Sequence, residues 1–126
     1  MTKHFLFLIL LAGFHVKISA QTDCSSVHNG KFVAAEMNSI TVVRDSTTQT
    51  EYNALDGTYV KMSVEWTGDC TYILRYIDSD KKGEKKEWKK LKYLEVNITD
   101  VTADGYSYTC SSPGLPAVIR GKLLKK

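Results

Sequence analysis

The 126-residue sequence carries 17 Lys and Arg against 14 Asp and Glu, a formal net charge of +3, and 43% of its residues are hydrophobic. So small a basic excess offers no electrostatic footprint for nucleic acid, and the length is that of one domain with a modest core. Of three histidines, two fall within the first 15 residues, which leaves little for acid–base or metal chemistry further along.

The chain starts with Met1–His4, polar and carrying Lys3. An apolar run, Phe5–Phe14, follows, and then His15–Ala20, which ends in small residues. This is the order of the n-region, h-region and cleavage region of a secretory signal peptide. The run has ten residues, half of the roughly 20 that a spanning helix needs. Residues 1–20 are therefore expected to be removed on export to the periplasm or the exterior. Residues 21–126 remain as a single exported β domain with no stable membrane span. Gln21-Thr22-Asp23 lacks the small and aliphatic residues that lipidation at Cys24 needs. Cleavage takes Lys3 and Lys17 away, leaving 106 residues with 15 basic and 14 acidic side chains and His28 as the sole histidine.

From Asn29 onward the pattern is strands and turns. Asn29-Gly30 is a turn, Lys31–Met37 and Ser39–Arg44 read as strands, the latter rich in β-branched residues. Asp45–Thr48 turns the chain into a short strand at Gln49–Tyr52, and Asp56-Gly57 is a hairpin signal. Thr58–Trp66 is the clearest strand: Val60, Met62, Val64 and Trp66 share one face, and Tyr59, Lys61, Ser63 and Glu65 the other. After Thr67-Gly68-Asp69, Thr71–Ile77 is apolar on both sides except at Arg75, as a central strand would be. Asp78–Lys90, with Gly83 at its middle, reads as a solvated hairpin tip whose acids offset much of its lysine. A helix through Trp88, Leu91 and Leu94 has suitable spacing, but the alternation of Leu94, Val96 and Ile98 favours a hairpin with its turn at Ala103-Asp104-Gly105. Tyr106, Tyr108 and Cys110 share a face, Ser111–Pro116 is a turn, and Ala117–Leu124 is the last strand.

About eight short antiparallel strands predict an all-β fold. The architectures open to it are a barrel or half-barrel, with a two-sheet sandwich as the alternative. Paired carboxylates or a His with a partner are missing apart from Asp69 beside Cys70 and His28 near Cys24. Asp69 suits a turn residue and His28 an exposed position, so no catalytic residue, no metal site and no cofactor are expected. The aromatic set Trp66, Tyr72, Tyr76, Tyr106 and Tyr108 is the candidate lining of a ligand cavity, against ordinary cross-strand packing. Asn97-Ile98-Thr99 is a glycosylation sequon that would matter only on a eukaryotic secretory route.

Five segments taken in order carry a resemblance. They are Asn29-Gly30-Lys31-Phe32, Val43-Arg44 with Gln49-Thr50-Glu51, Ser63-Val64-Glu65-Trp66, Asp69-Cys70-Thr71-Tyr72-Ile73-Leu74, and Gly121-Lys122-Leu123. Together they resemble small exported β proteins of Bacteroidetes-type bacteria. Proteins of that group sometimes carry a DNA topoisomerase IV label, which a short exported chain without a nucleotide-binding loop does not support. A second resemblance is to lipocalin-like domains. Gly30-Lys31-Phe32 stands where that superfamily has Gly-x-Trp, with Phe32 in place of the Trp, and Arg120 lies on the last strand, where lipocalins set an Arg across the aromatic ring. The resemblance implies a binding module for a small apolar ligand or an envelope protein partner. The alternative is a structural or interaction protein of the envelope without a cavity. For Cys24, Cys70 and Cys110 the separations of 46, 86 and 40 residues leave every pairing open, because loop entropy changes slowly with length. The resemblance implies Cys24–Cys70 with Cys110 free, which would also tie down a loose N-terminal segment. Cys70–Cys110 is the rival.

Overall fold

Alternation of inward apolar and outward polar side chains, broken by turn residues, is realised as eight strands. The computed structural model describes residues 23–126; the expected signal peptide lies outside the described residues. The strands are β1 (Gly30–Ala34), β2 (Ile40–Arg44), β3 (Thr48–Asn53), β4 (Thr58–Trp66), β5 (Thr71–Ser79), β6 (Leu94–Thr102), β7 (Gly105–Ser111) and β8 (Ile119–Lys125). Each pairs antiparallel with its neighbours in sequence, and β8 returns to β1, closing a barrel. Closure distinguishes the fold from the half-barrel and the two-sheet sandwich.

The β4 register follows the expected alternation. Met62 and Val64 are buried, and Val60 and Trp66 pack against the core from partly buried positions. One detail of β5 differs from the sequence reading. A bulge between Lys61 and Met62 shifts the register from Lys61↔Asp78 to Met62↔Tyr76. Ile77 is the extra residue and stands exposed, so β5 is not apolar-packed on both sides.

The larger correction is at Asp78–Lys90. The segment is not a hairpin tip: it contains an α-helix, α1 (Glu84–Leu91). Gly83 precedes it at φ 87° and Lys92 ends it at φ 73°. Glu84 and Glu87 lie in the first turn, and Lys89 and Lys90 in the last, as the helix dipole favours. The helix exists because β5 and β6 pair over only four residue pairs, from Thr71↔Asn97 to Leu74↔Leu94. Beyond that seam, Trp88 is buried, with its ring centroid 6.2 Å from that of Tyr76, and Leu91 packs on the core. Leu94 belongs to β6 rather than to the helix, which is why its alternation with Val96 and Ile98 hid the helical spacing.

In such a meander, successive loops alternate between the two ends of the barrel. One end carries the loops at 45–47, 67–70 and 103–104 together with a short 3-10 helix, Ser25–Val27. The other carries the loops at 35–39, 54–57 and 112–118 and the helical connection 80–93. Two hydrogen bonds tie the latter set together: Ala54 N–H to Ser39 O at 2.9 Å and Ser112 Oγ to Leu91 O at 2.6 Å.

Candidate functional site: a plugged barrel with an internal cavity

The two ends of the barrel interior have different contents. At the first, the 3-10 helix acts as a plug. Cys24 and Val27 are fully buried, and Cys24 is bonded to Cys70, with Cα atoms 5.3 Å apart. The pairing is the one the resemblance implies, and Cys110 is a buried free thiol. Cys24 N–H also donates to Asp69 Oδ2 at 3.0 Å. His28 is half-buried rather than exposed: its ring stacks on Trp66 at 3.7 Å between centroids, and Nε2 donates to Asp69 O at 2.7 Å. Cys24, Asp69 and Cys70 bring their ligand atoms within 4.8 Å of one another. Both sulfurs are consumed by the disulfide, so the group is a tether.

Above the plug lies a cationic centre that the sequence reading missed. Arg44, at the end of β2, is only 2% exposed. Its Nε donates to Gln49 Oε1 at 2.8 Å, Nη1 to Val27 O at 2.7 Å, and Nη2 to the hydroxyls of Tyr72 (3.0 Å) and Tyr106. The two hydroxyls are themselves bonded at 2.8 Å. The guanidinium lies 5.2 Å from the centroid of Phe32 and 4.7 Å from that of Tyr72, within cation–π range. A fork of donors is thus matched by four acceptors and walled by rings, the setting that makes a buried charge tolerable. The resemblance to lipocalins had assigned this position to Arg120. Arg120 is exposed on β8, and the cation over Phe32 comes from β2. The signal was present in the alternation: Ile40, Val42 and Arg44 share a face, so an Arg had to enter the core.

The opposite half of the interior is not filled. A cavity of about 120 Å³ is lined by Ala34, Ile40, Val42, Leu74, Leu94, Val96 and Leu123, with Gln49, Glu51, Tyr72, Tyr108 and Cys110 as its polar members. Gln49 spans the two halves, accepting from Arg44 and donating from Nε2 to Glu51 Oε2 at 3.2 Å. Glu51 is half-buried, and burial first, then the nearby charge of Glu84, holds its carboxyl above the usual range, partly offset by the Gln49 hydrogen bond and by Arg44. Burial likewise pushes Tyr108 up to about 12 and Cys110 up to about 11, and raises Tyr72 well above an ordinary phenol. The cavity therefore offers neutral hydroxyls and a neutral thiol near pH 7. Tyr108 lies across Gly121 of β8, where a Cβ would run into its ring; the missing side chain makes room for the phenol in the cavity wall. A second space of about 110 Å³ shares Ile40 and Glu51 and opens between Tyr52, Asn53, Thr58, Val60, Lys81 and Glu84 at the mouth.

The five aromatics named from sequence separate into three groups. Tyr72 and Tyr108 line the cavity. Tyr106, fully buried, and Trp66 belong to the plugged half around Arg44. Tyr76 packs against Trp88 beneath α1 and contributes to a groove on the outer wall. Gln49 and Glu51 were missed as cavity residues, because polar residues in a short strand read as its wet face.

The chain matches no protein-family model, no curated protein and no solved structure.

Proposed function

We propose that this domain is a lipocalin-like binding module that takes a small, mainly apolar ligand into the open half of its barrel and performs no catalysis. The observation that carries the reading is the unfilled space itself. An eight-stranded barrel is just wide enough for side chains to fill or for one small ligand, and here one half is filled and the other holds about 120 Å³. A dry cavity of about 150 Å³ takes up benzene, so the space suits a ligand of about six non-hydrogen atoms. The lipocalin likeness draws support from the sequential closed topology, the N-terminal 3-10 plug and the cation over Phe32, even though it comes from a different strand. The disulfide favours an oxidising compartment, in keeping with export to the periplasm or the exterior. Among the described residues no helix is long and apolar enough to cross a membrane.

An envelope protein partner is the second reading, and one observation favours it. The open rim exposes Met37, Leu55 and Val118 on three separate loops, Leu55 at 80%, an apolar fringe of the kind that partners cover. Titration with cyclopentane, followed by methyl NMR, tests the first reading. Methyl resonances of Val42, Leu74, Val96 and Leu123 should shift in a saturable way. Shifts confined to Met37, Leu55 and Val118 would turn the reading toward a surface interaction.

A further inference from the structure

We propose that Glu51 makes the cavity selective for a compact organic cation, an aliphatic ammonium whose hydrocarbon part fills the apolar space and whose N–H groups rest on the Glu51 carboxylate. The inference builds on the binding-module reading and names its ligand class.

Glu51 stands where the inner cavity meets the mouth, and it lines both spaces. One neutral donor reaches its carboxylate, Gln49 Nε2 at 3.2 Å, which leaves acceptor capacity unused. The cation nearest in the network cannot serve it, because each guanidinium nitrogen of Arg44 is already committed to Gln49, Val27 or the tyrosine pair. Among the described residues the recorded ion pairs are His28–Asp69, Arg75–Glu65 and Lys90–Glu87, and none of them involves Glu51 or Lys81. Glu84 faces the same mouth, with Oε2 accepting from Trp88 Nε1 at 2.9 Å. It adds a second negative charge, and Lys81 lines the same mouth without pairing with either carboxylate.

A carboxylate half-buried beside an apolar space, with no counter-ion paired to it, is costly to keep charged. Its charge must therefore be met by a proton or by a ligand's cation. An anionic ligand would face two carboxylates. A neutral one would leave Glu51 to be met by a proton. An ammonium meets it, and its attached carbons find the apolar lining of Val42, Leu74 and Val96. The volume limits the ligand to a compact one, and cyclopentylammonium has about six non-hydrogen atoms, the size the cavity suits.

The test uses the folded protein and three probes of one shape: cyclopentylammonium, methylcyclopentane and cyclopentanol, titrated near pH 8 by methyl NMR. The ammonium should bind at least about ten-fold more tightly than either neutral probe. Glu51→Gln should abolish that preference, and Glu51→Asp should keep one. Equal affinity for the three probes in the unmodified protein would overturn the inference and leave the binding module standing. No binding of any probe would overturn both. The wild-type comparison decides even where a variant fails to fold.

Discussion

Replacing Arg44 by Met should destabilise the domain by about 3–4 kcal/mol. The side chain is 2% exposed and serves four acceptors. In its absence Tyr72 and Tyr106 keep their mutual hydrogen bond, but Val27 O and Gln49 Oε1 lose their donor. Each orphaned buried acceptor costs about 1–3 kcal/mol, and the lost contacts with the Phe32 and Tyr72 rings add about 1 kcal/mol. Relief of the guanidinium's own desolvation offsets part of this sum, which brings the net to the figure given. A domain of this size is stable by about 5–15 kcal/mol, so the variant should fold, with a lower urea midpoint. At about 1–1.5 kcal/mol per molar urea, the midpoint should fall by about 2–4 M with an unchanged slope. Lys at the same position, a point charge without the planar fork, should recover less than half of the loss. A midpoint within about 0.5 M of the parent would refute the reasoning, because it would mean that desolvation cancels every bond the guanidinium makes.

Reduction of Cys24–Cys70 should cost about 2–4 kcal/mol and release the plug, with a change in Trp66 fluorescence as the His28 stack loosens; non-reducing peptide mapping and urea titration with and without reductant check it. Trp66→Ala should cost about 2–3 kcal/mol by denaturant unfolding, less than the 3–5 of a fully buried aromatic, because Trp66 is half-buried. Glu51 binds its proton more tightly in the folded chain than in the unfolded one. Its stabilising contribution is therefore present below the ordinary carboxylate range and is lost as pH rises through the raised folded value. Glu51→Gln should accordingly raise the urea midpoint at about pH 8 more than at about pH 5, and equal gains at both would contradict it. Gly121→Ala should displace the Tyr108 ring and destabilise by about 1–3 kcal/mol, with the largest amide shifts at residues 107–110 in NMR spectra.

Strand identity was legible where one face is wet. Val60, Met62, Val64 and Trp66 alternate with Tyr59, Lys61, Ser63 and Glu65, and a buried side is the only arrangement that such a period allows. Barrel closure was legible only as one of several architectures, since β1 and β8 meet through three residue pairs, Phe32↔Lys125 to Ala34↔Leu123, with no local signal for so distant a pairing. Helix α1 was obscured because its buried stripe amounts to Trp88 and Leu91 among lysines and glutamates. Its cause, the gap left by the short β5–β6 ladder, exists only in three dimensions. The site was the least legible part. Aromatic content pointed at the interior in general, but which rings touch the cavity depends on which end is plugged. Arg44, Gln49 and Glu51 are polar residues on either side of the 45–47 turn, and it is the register setting Arg44 opposite Gln49 and Val42 opposite Glu51 that turns all three inward.

The sequential topology bears on how the barrel comes into being. Seven of its eight seams join strands adjacent in sequence, so each can zip from its own turn at small loop-closure cost. The eighth, between β1 and β8, must bring together residues some 90 positions apart and rewards that step with the three pairs of its ladder. Ring closure is thus expected to be the late, weakly driven event of folding and the first to reverse in native fluctuations. A brief parting of β1 from β8 would open the cavity sideways at Ala34 and Leu123, both of which line it, giving a bound molecule an exit through the wall as well as through the rim.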